Sequence, residues 1–199
     1  MNHIENILNT VINGKGDSDK HLLTLFSIAL STKSQNILEL GVRSGSTTLP
    51  LLLAAKYNEG KLDSVDIQNS NFEIPNDLKS YWKFHKSDAL EYLKNLKVDK
   101  PFDLIYIDDW HAYNHVKKEL EYIDSLVSPK TVILIHDLMY GNYCPHYHTD
   151  LTLKEGQWAE GGPYRAVAEL NNQFWEFSTI PVNNGLTILR KKYSNLYFN

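Results

Sequence analysis

Residues 37–48 read ILELGVRSGSTT, and this stretch decides the fold. The run ILEL predicts a strand, Gly41 and Gly45 predict a turn, and a helical pattern opens directly afterwards. Glycine in such a turn permits positive φ and lets the backbone approach a ligand closely. The spacing Gly-x-x-x-Gly differs from the Gly-x-Gly-x-x-Gly turn of dinucleotide-binding folds, and no Gly-Lys-Ser/Thr of a P-loop follows. The segment therefore predicts a strand, a ligand-binding turn and a helix, and it disfavours a pyrophosphate as the ligand.

The same alternation of elements extends along the chain in both directions. Two helices with one apolar stripe each are predicted before this strand, and short apolar runs alternate with helical patterns after it. The predicted helices cover residues 3–13, 20–31, 46–57, 88–96, 112–127 and 163–171, with one more ending at 82, and the predicted strands cover 36–40, 61–67, 83–86, 102–108, 131–136, 173–180 and 185–190.

This alternation predicts an α/β fold with a doubly wound, mostly parallel, seven-stranded sheet. Parallel strands need long crossovers, and helical crossovers bury both faces of a sheet. The last two strands are joined by the turn-rich sequence PVNNG over 181–185, which is too short for a helix and predicts an antiparallel hairpin. We expect one domain over 1–199, with N-terminal helices in 1–34 and the core in 35–192.

Composition limits the classes of partner. The formal charge is −4 and the pI is near 6.0, which gives no electrostatic reason to expect nucleic acid. The basic run RKK at 190–192 is typical of a solvated strand end. The N-terminus does not resemble a signal peptide, and no apolar run approaches the ~20 residues that cross a bilayer. We therefore expect a cytoplasmic protein without membrane contact. The single cysteine, Cys144, excludes an internal disulfide.

The glycine segment resembles the first motif of the class I S-adenosylmethionine-dependent methyltransferases, in which an acidic residue precedes the glycines. The resemblance implies that Gly41 and Gly45 make room for the methionine part of the cofactor, with Ser46 beside them. It also implies that Glu39 lies near the cofactor's ammonium group. A buried, hydrogen-bonded glutamate is the alternative role for Glu39.

Two further acidic residues follow the next two strands. Asp66 ends the second strand, where a carboxylate can accept hydrogen bonds from ribose hydroxyls. Asp88 follows the third strand and resembles the family position that contacts the adenine amino group, with Ser87 next to it. Either Ser87 or Asp88 could instead be a helix N-cap. The prediction of S-adenosylmethionine as cofactor rests on the combination of these residues with the glycine turn.

Polar clusters end the fourth and fifth strands, in IDDWH at 107–111 and IHD at 135–137. Neighbouring strands lie about 5 Å apart, so the side chains of these clusters could surround one small volume. The order strand, Asp-x-x-His, helix, strand, His-Asp is similar to a methyltransferase subgroup that includes macrolide and sugar O-methyltransferases and cephalosporin-hydroxylase-like proteins.

In metal-dependent members of that subgroup, the positions of Asp108, His136 and Asp137 bind magnesium and the position of His111 is a general base. Asp108 also belongs to the implied cofactor site. This chain departs from the pattern at His136, where histidine replaces an acid. Magnesium prefers oxygen ligands, so a histidine ligand would indicate manganese, iron or zinc. His136 is also the rival for the base, and Asp108 and Asp137 could simply cap helices and hold loops.

Residues 137–162 form the one long irregular segment, which we expect to be a lid over the acceptor. The segment is rich in aromatic residues, Trp158 among them, and contains His146-x-His148, a pair that lacks a third metal ligand at fixed spacing.

These features predict a methyltransferase acting on a hydroxyl of a small molecule such as a sugar or natural product. S-adenosylmethionine is the expected cofactor, and Mg²⁺ or another divalent metal is the expected aid. The alternatives are a cofactor-binding interaction module without activity and a different, hydroxylase-like enzyme on the same scaffold. The sequence leaves the acceptor and the oligomeric state open, a homo-oligomer included.

Overall fold

The computed structural model describes residues 2–139 and 154–192. Within them, seven strands form one sheet in the order β3-β2-β1-β4-β5-β7-β6. The strands are β1 Asn36–Leu40, β2 Lys61–Asp66, β3 Trp82–Lys86, β4 Phe102–Ile107, β5 Val127–His136, β6 Trp175–Ile180 and β7 Leu186–Lys191. The helices are α1 His3–Asn13, α2 Leu22–Ser31, α3 Thr48–Tyr57, α4 Ala89–Asn95, α5 Tyr113–Ile123 and α6 Gly162–Ala168.

The predicted fold class is confirmed. Strands β1 to β5 pair in parallel, and β7 pairs antiparallel with both β5 and β6. The strand order reverses between β1 and β4, because the chain runs from β1 outward to β3 and then returns to the other side of β1. In open α/β sheets, ligands bind at the carboxyl ends of the strands beside such a reversal.

The two faces of the sheet bury different layers of helices. Apolar residues of α1, α2 and α3 pack with Ile37 and Leu104 on one face. Residues of α4, α5 and α6 pack with Leu38 and Ile105 on the other. Because successive strand residues point to opposite faces, each residue near the end of a strand is directed to one layer or the other. This alternation decides which polar side chains reach the carboxyl-end cavity described below.

Some predicted boundaries are wrong. The helix predicted to end at 82 is only a short 3₁₀ turn, Lys79–Tyr81, because the preceding segment contains Pro75 and polar residues suited to turns. The helix predicted over 112–127 ends at Ile123, where Ser125 donates from its hydroxyl to the Tyr122 carbonyl and β5 begins soon afterwards. The extended β5 carries a register irregularity opposite Phe102.

The predicted lid over 137–162 lies partly outside the described residues. Its histidine pair and Cys144 fall there, so the lid as a whole stays a prediction. The described part, 154–162, leads through a 3₁₀ turn, Ala159–Gly161, into α6. Among the helices of the described residues, none is long and apolar enough to cross a membrane.

Candidate active site

An open cavity of about 1060 Å³ lies at the carboxyl ends of β1 to β5. A volume of this size is at the upper end of the range for small-molecule sites, which typically measure about 300–1000 Å³. Of the residues predicted for the site, those that line the cavity are Gly41, Asp66, Ser87, Asp88, Asp108, His111 and Asp137. The topology therefore brings the implied cofactor residues and the acid–histidine residues to one volume.

The glycine turn after β1 is closely packed. Gly41 has φ +89°, and a Cβ there would lie 2.2 Å from the Asp108 carbonyl oxygen, so only glycine fits without a shift of the backbone. Gly45 has φ +80°, and a Cβ there would lie 2.4 Å from the Phe72 ring. Gly41 thus lets the turn approach β4 at the cavity wall, whereas Gly45 makes room for a neighbouring aromatic side chain.

Asp66 holds the same turn through its carboxylate. The backbone N–H groups of Val42 and Arg43 both donate to Oδ2 at 2.9 Å, and that of Gln68 donates to Oδ1 at 2.8 Å. A carboxylate offers about four acceptor positions, so three are filled by the fold itself and about one remains toward the cavity.

Asp88 is the N-cap of α4, and its side chain accepts a hydrogen bond from the Glu91 N–H at 3.0 Å. Ser87 donates from its hydroxyl to the Asp88 carbonyl. Asp88 therefore has the capping role that was the alternative in the sequence analysis. The capping hydrogen bond occupies only its Oδ1 atom. Ser87 and Asp88 also line the cavity.

Glu39 and Ser46 do not line the cavity. Glu39 shares the face of Ile37, so its carboxylate is directed into the α1–α3 layer, where it is fully buried. It accepts hydrogen bonds from the hydroxyls of Thr47, Thr48 and Ser64. Burial raises its pKa to about 7, against the opposing effect of these hydrogen bonds. Glu39 thus has the surroundings of the buried glutamate considered as the alternative.

Asp108 and Asp137 form a cluster with two histidines at the ends of β4 and β5. His111 Nε2 lies 2.9 Å from Asp137 Oδ2 and 3.4 Å from Asp108 Oδ1. His136 Nδ1 lies 3.2 Å from Asp137 Oδ1 and 3.3 Å from Asp108 Oδ1. Asp137 adopts φ +65°, a left-handed conformation that aspartate tolerates better than most residues and that turns the chain at the strand end.

The charges in this cluster are strongly coupled. Burial alone would lower the pKa of His111, but the nearby charges of Asp108 and Asp137 outweigh it and raise that pKa to about 9. The same balance raises the pKa of His136 to about 10. Burial would conversely raise the pKa of both carboxyls, but the two histidines hold it well below the usual range. These shifts favour the charged forms of both histidines and of both aspartates.

Hydrogen bonding within the cluster is incomplete. His111 Nε2, His136 Nδ1 and Asp137 Oδ1 are buried and have no hydrogen-bond partner among the described residues, although their neighbours are close, because these contacts lie off the line of a hydrogen bond. Ligand atoms of Asp108, His111 and Asp137 all lie within 4.8 Å of one another. Converging polar atoms of this kind, left without partners, fit a cation between the two carboxylates.

The two histidines of this cluster have different surroundings. His111 lines the cavity, whereas His136 shares the strand face of Leu134, is fully buried and meets the His21 ring edge-on at 5.3 Å between centroids. Burial and the positive charge of His136 lower the pKa of His21 to about 4, so His21 is neutral. Of these two histidines, His111 is the one positioned to touch a molecule in the cavity.

A model of the methyltransferase domain family matches residues 38–138, which is half of the chain and includes all of these strand ends. The chain belongs to this family. Among curated proteins, none matches it.

Solved structures show the same fold as this methyltransferase domain. An O-methyltransferase from Bacillus cereus in complex with SAH superposes with a TM-score of 0.68 at 20% identity, covering 96% of this chain and 90% of that one. SAH-bound PaMTH1 from Podospora anserina gives 0.65 at 20% identity, with 96% and 88% covered. TomG from Streptomyces achromogenes, in complex with SAM, gives 0.67 at 15% identity, with 97% and 91% covered.

Several residues of the candidate site were not predicted from the sequence. Ser18 and Tyr106 donate from their hydroxyls to Asp108 Oδ2 at 3.0 and 2.8 Å, which leaves Oδ1 for the histidines. Ser18 is distant in sequence, so no local pattern marks it. Tyr106 precedes Asp108 by two residues and shares its strand face, which is a signal that the period of a strand could have supplied.

The described part of the predicted lid contacts His111. The Gln157 side-chain amide donates to His111 Nδ1 at 2.7 Å as its oxygen and nitrogen are assigned. A flipped amide would present its oxygen to a protonated Nδ1 instead, so this bond suits either charge state. The Trp158 ring stacks on the imidazole at 4.6 Å between centroids and 13° between planes. Trp158 was predicted as part of the lid, and Gln157 was not.

Proposed function

We propose that this chain transfers the methyl group of S-adenosylmethionine to a hydroxyl group of a small molecule. The observation that carries the proposal is the single cavity, because it joins the glycine turn and the acids after β2 and β3 to the acid–histidine cluster after β4 and β5. Methyl transfer needs a donor and an acceptor aligned in one volume and a group that accepts the hydroxyl proton. The cavity would hold donor and acceptor in one volume, and His111 would supply the proton acceptor.

The cofactor is proposed to occupy the part of the cavity beside β1, β2 and β3. Gly41 would admit its methionine part, Asp66 would accept one ribose hydroxyl with its remaining acceptor position, and Asp88 would accept from the adenine amino group with the oxygen that does not cap α4. Ile67 is 65% exposed and lines the cavity, so it offers an apolar surface for the adenine ring. The complexes of the Bacillus cereus enzyme with SAH and of TomG with SAM support this choice of cofactor.

The acceptor is proposed to lie against the acid–histidine cluster. His111 would take the hydroxyl proton, since it lines the cavity while His136 lies behind it. Gln157 and Trp158 hold the His111 ring from the other side, so the imidazole is fixed in position before the acceptor binds. Trp158 also lines the cavity and would exclude water from the acceptor.

Asp108 and Asp137 are the residues that would hold a divalent metal, with His136 as a third ligand. The unpartnered atoms of His136 and Asp137 support this assignment. A bound divalent ion would offset the negative charge that keeps His111 protonated and would lower the pKa of a coordinated hydroxyl. The nitrogen ligand favours manganese, iron or zinc over the magnesium that the resemblance implies.

The test separates binding from chemistry. Calorimetry with S-adenosylmethionine and with its demethylated product measures cofactor binding, and product formation is then followed with sugars and phenolic natural products in the presence of Mg²⁺, Mn²⁺ or Zn²⁺. Binding with turnover supports the proposal. Binding without turnover on any acceptor would favour the non-catalytic module, and absence of binding would overturn the assignment. The proposal also keeps two predictions from the sequence: that the protein acts in the cytoplasm and that residues 1–199 form one domain.

A further inference from the structure

A second acid–histidine cluster lies beside the first and takes no part in the proposed methyl transfer. It consists of Asp109, two residues after the end of β4, and of His115 and Glu119 on α5. Glu119 is four positions after His115, so the two side chains share one face of the helix. That face meets the β4 end, where Asp109 is directed toward His115.

The spacing within this cluster suits a small cation. His115 Nε2 lies 3.0 Å from Asp109 Oδ2 and 3.7 Å from Glu119 Oε1. One ligand atom of each residue lies within 4.8 Å of the others. A tetrahedral ion with bonds of about 2.0–2.2 Å separates its ligands by roughly 3.4 Å, between the two measured distances. Small side-chain movements would therefore complete such a site.

Glu119 gives an independent indication of a missing ligand. Its side chain is fully buried, and neither of its carboxylate oxygens has a hydrogen-bond partner among the described residues. Asp109 Oδ1 is buried and unpartnered as well. Burial and the charge of Asp109 raise the pKa of Glu119 to about 8. Ionising a buried carboxyl that has no hydrogen-bond partner is costly, and a divalent cation would stabilise the ionised form.

We propose that Asp109, His115 and Glu119 bind a divalent transition-metal ion of the zinc class, at a site separate from Asp108 and Asp137. One nitrogen and two carboxylate oxygens are ligands that suit Zn²⁺ better than Mg²⁺. Asp109 and His115 line the cavity, whereas Glu119 does not. A fourth coordination position would therefore face the cavity, open to water or to an oxygen or nitrogen atom of a bound molecule.

The test removes the first cluster and then counts bound zinc. The protein with Asp108→Asn and Asp137→Asn is dialysed against Zn²⁺ alone, and bound metal is measured by elemental analysis. Asparagine keeps the shape of both side chains and tolerates the left-handed backbone at 137. We expect this double variant to retain one zinc per chain. Adding Glu119→Gln or His115→Ala should weaken zinc binding at least about 100-fold, as loss of a direct ligand does.

Glu121→Gln is the matched control. Glu121 lies on the same helix, is half exposed and pairs with Lys118, so its loss should leave zinc binding unchanged. Equal zinc binding with and without Glu119→Gln would overturn the proposal. Anomalous scattering from zinc-soaked crystals of the unmodified protein decides the matter even if a variant fails to fold, because a peak must lie between these three side chains. Its absence would overturn the site without affecting the proposed methyl transfer.

Discussion

The carboxyl ends of β1–β3 and those of β4–β5 carry acids of different kinds. At the β1–β3 end, Glu39, Asp66 and Asp88 all accept hydrogen bonds from hydroxyls or N–H groups of the fold. At the β4–β5 end, Asp108, Asp109 and Asp137 face histidines, and several buried atoms have no hydrogen-bond partner among the described residues. The acids of the first end are held by side-chain hydroxyls and backbone N–H groups of the fold itself. The acids of the second end leave buried atoms that a ligand or a metal would satisfy, which is why we propose that the methyl transfer takes place there.

The largest effect is expected from His111. Replacing it with alanine should lower turnover about 10²- to 10⁴-fold, the usual loss for a general base, while the affinity for S-adenosylmethionine stays nearly unchanged. His136→Ala should lower turnover too, but with weaker metal binding. Rates across a metal titration distinguish the two variants once an acceptor is known.

His85→Ala serves as the control for these two changes. His85 pairs with Asp63 on neighbouring strands and does not line the cavity, so its loss should leave turnover intact. If the His111→Ala enzyme turns over as fast as the parent at saturating metal, the general base is another residue. The proposed contrast between the β1–β3 end and the β4–β5 end would then be wrong.

The next effect concerns stability at the β1–β3 end. Glu39→Ala should destabilise the fold by about 3 kcal/mol, because three buried hydroxyls lose their acceptor.

Glu39→Gln should destabilise the fold less than Glu39→Ala, and it should change how stability depends on pH. The pKa of Glu39 is raised by burial from 4.5 to about 7, so the protonated carboxyl stabilises the folded protein. That contribution is complete below pH 4.5 and is lost as pH rises to 7, about 3 kcal/mol at most.

Urea unfolding at pH 5 and pH 8 measures this prediction. Between pH 5 and pH 8, the free energy of unfolding should fall less in the Glu39→Gln variant than in the parent. The variant with the exposed Glu121→Gln change should show the same fall as the parent. A different result would restore the role implied by the family resemblance: a large loss of cofactor affinity in Glu39→Gln, without a change in stability, would place the cofactor's ammonium group at Glu39.

The contrast also explains what could be predicted from the sequence. The period of apolar residues and the spacing of the glycines predicted the sheet, its parallel core and the antiparallel end, because these depend on local patterns. Asp108 and Asp137 were predicted to meet because neighbouring strands end close together, whereas Asp88 was assigned to the cofactor from the family resemblance. Glu39 could be placed only by asking which face of β1 it occupies, since one step along a strand changes the layer.

Contacts from distant segments could not be predicted in this way. Ser18 reaches Asp108 from the chain before α2, and Gln157 reaches His111 from the segment before α6. Both bonds depend on tertiary packing rather than on a repeat or a motif. The pair of His115 and Glu119 does have a local signal in the sequence. The two residues are spaced i, i+4 on a helix that follows the acids after β4, and this spacing was not used for a prediction.

A moderate effect is expected from Asp66. Replacing it with alanine removes one proposed ribose contact and the acceptor that holds the Val42 and Arg43 N–H groups. Cofactor affinity should fall by about 1.5–3 kcal/mol, or roughly 10- to 150-fold, as for a charge-assisted hydrogen bond. Calorimetry with the demethylated cofactor measures the loss. Asp63→Ala, on the same strand but outside the cavity lining, should bind as the parent does, and equal binding by both variants would contradict the placement.

The smallest effect is expected from Trp158, which links the described lid segment to the β4–β5 end. Its ring stacks on His111, and an aromatic face stabilises an imidazolium by about 0.5–2 kcal/mol. Trp158→Ala should therefore lower the pKa of His111 by about 0.4 to 1.5 units, since one unit corresponds to about 1.4 kcal/mol. Trp158→Phe keeps an aromatic face and should retain most of the shift. Cofactor affinity should remain unchanged in both variants, because the proposed cofactor site depends on the β1–β3 end. Nuclear magnetic resonance titration of the imidazole in metal-free protein measures the pKa directly. An identical His111 pKa in the parent and in Trp158→Ala would mean that the carboxylates set it without a contribution from the Trp158 ring.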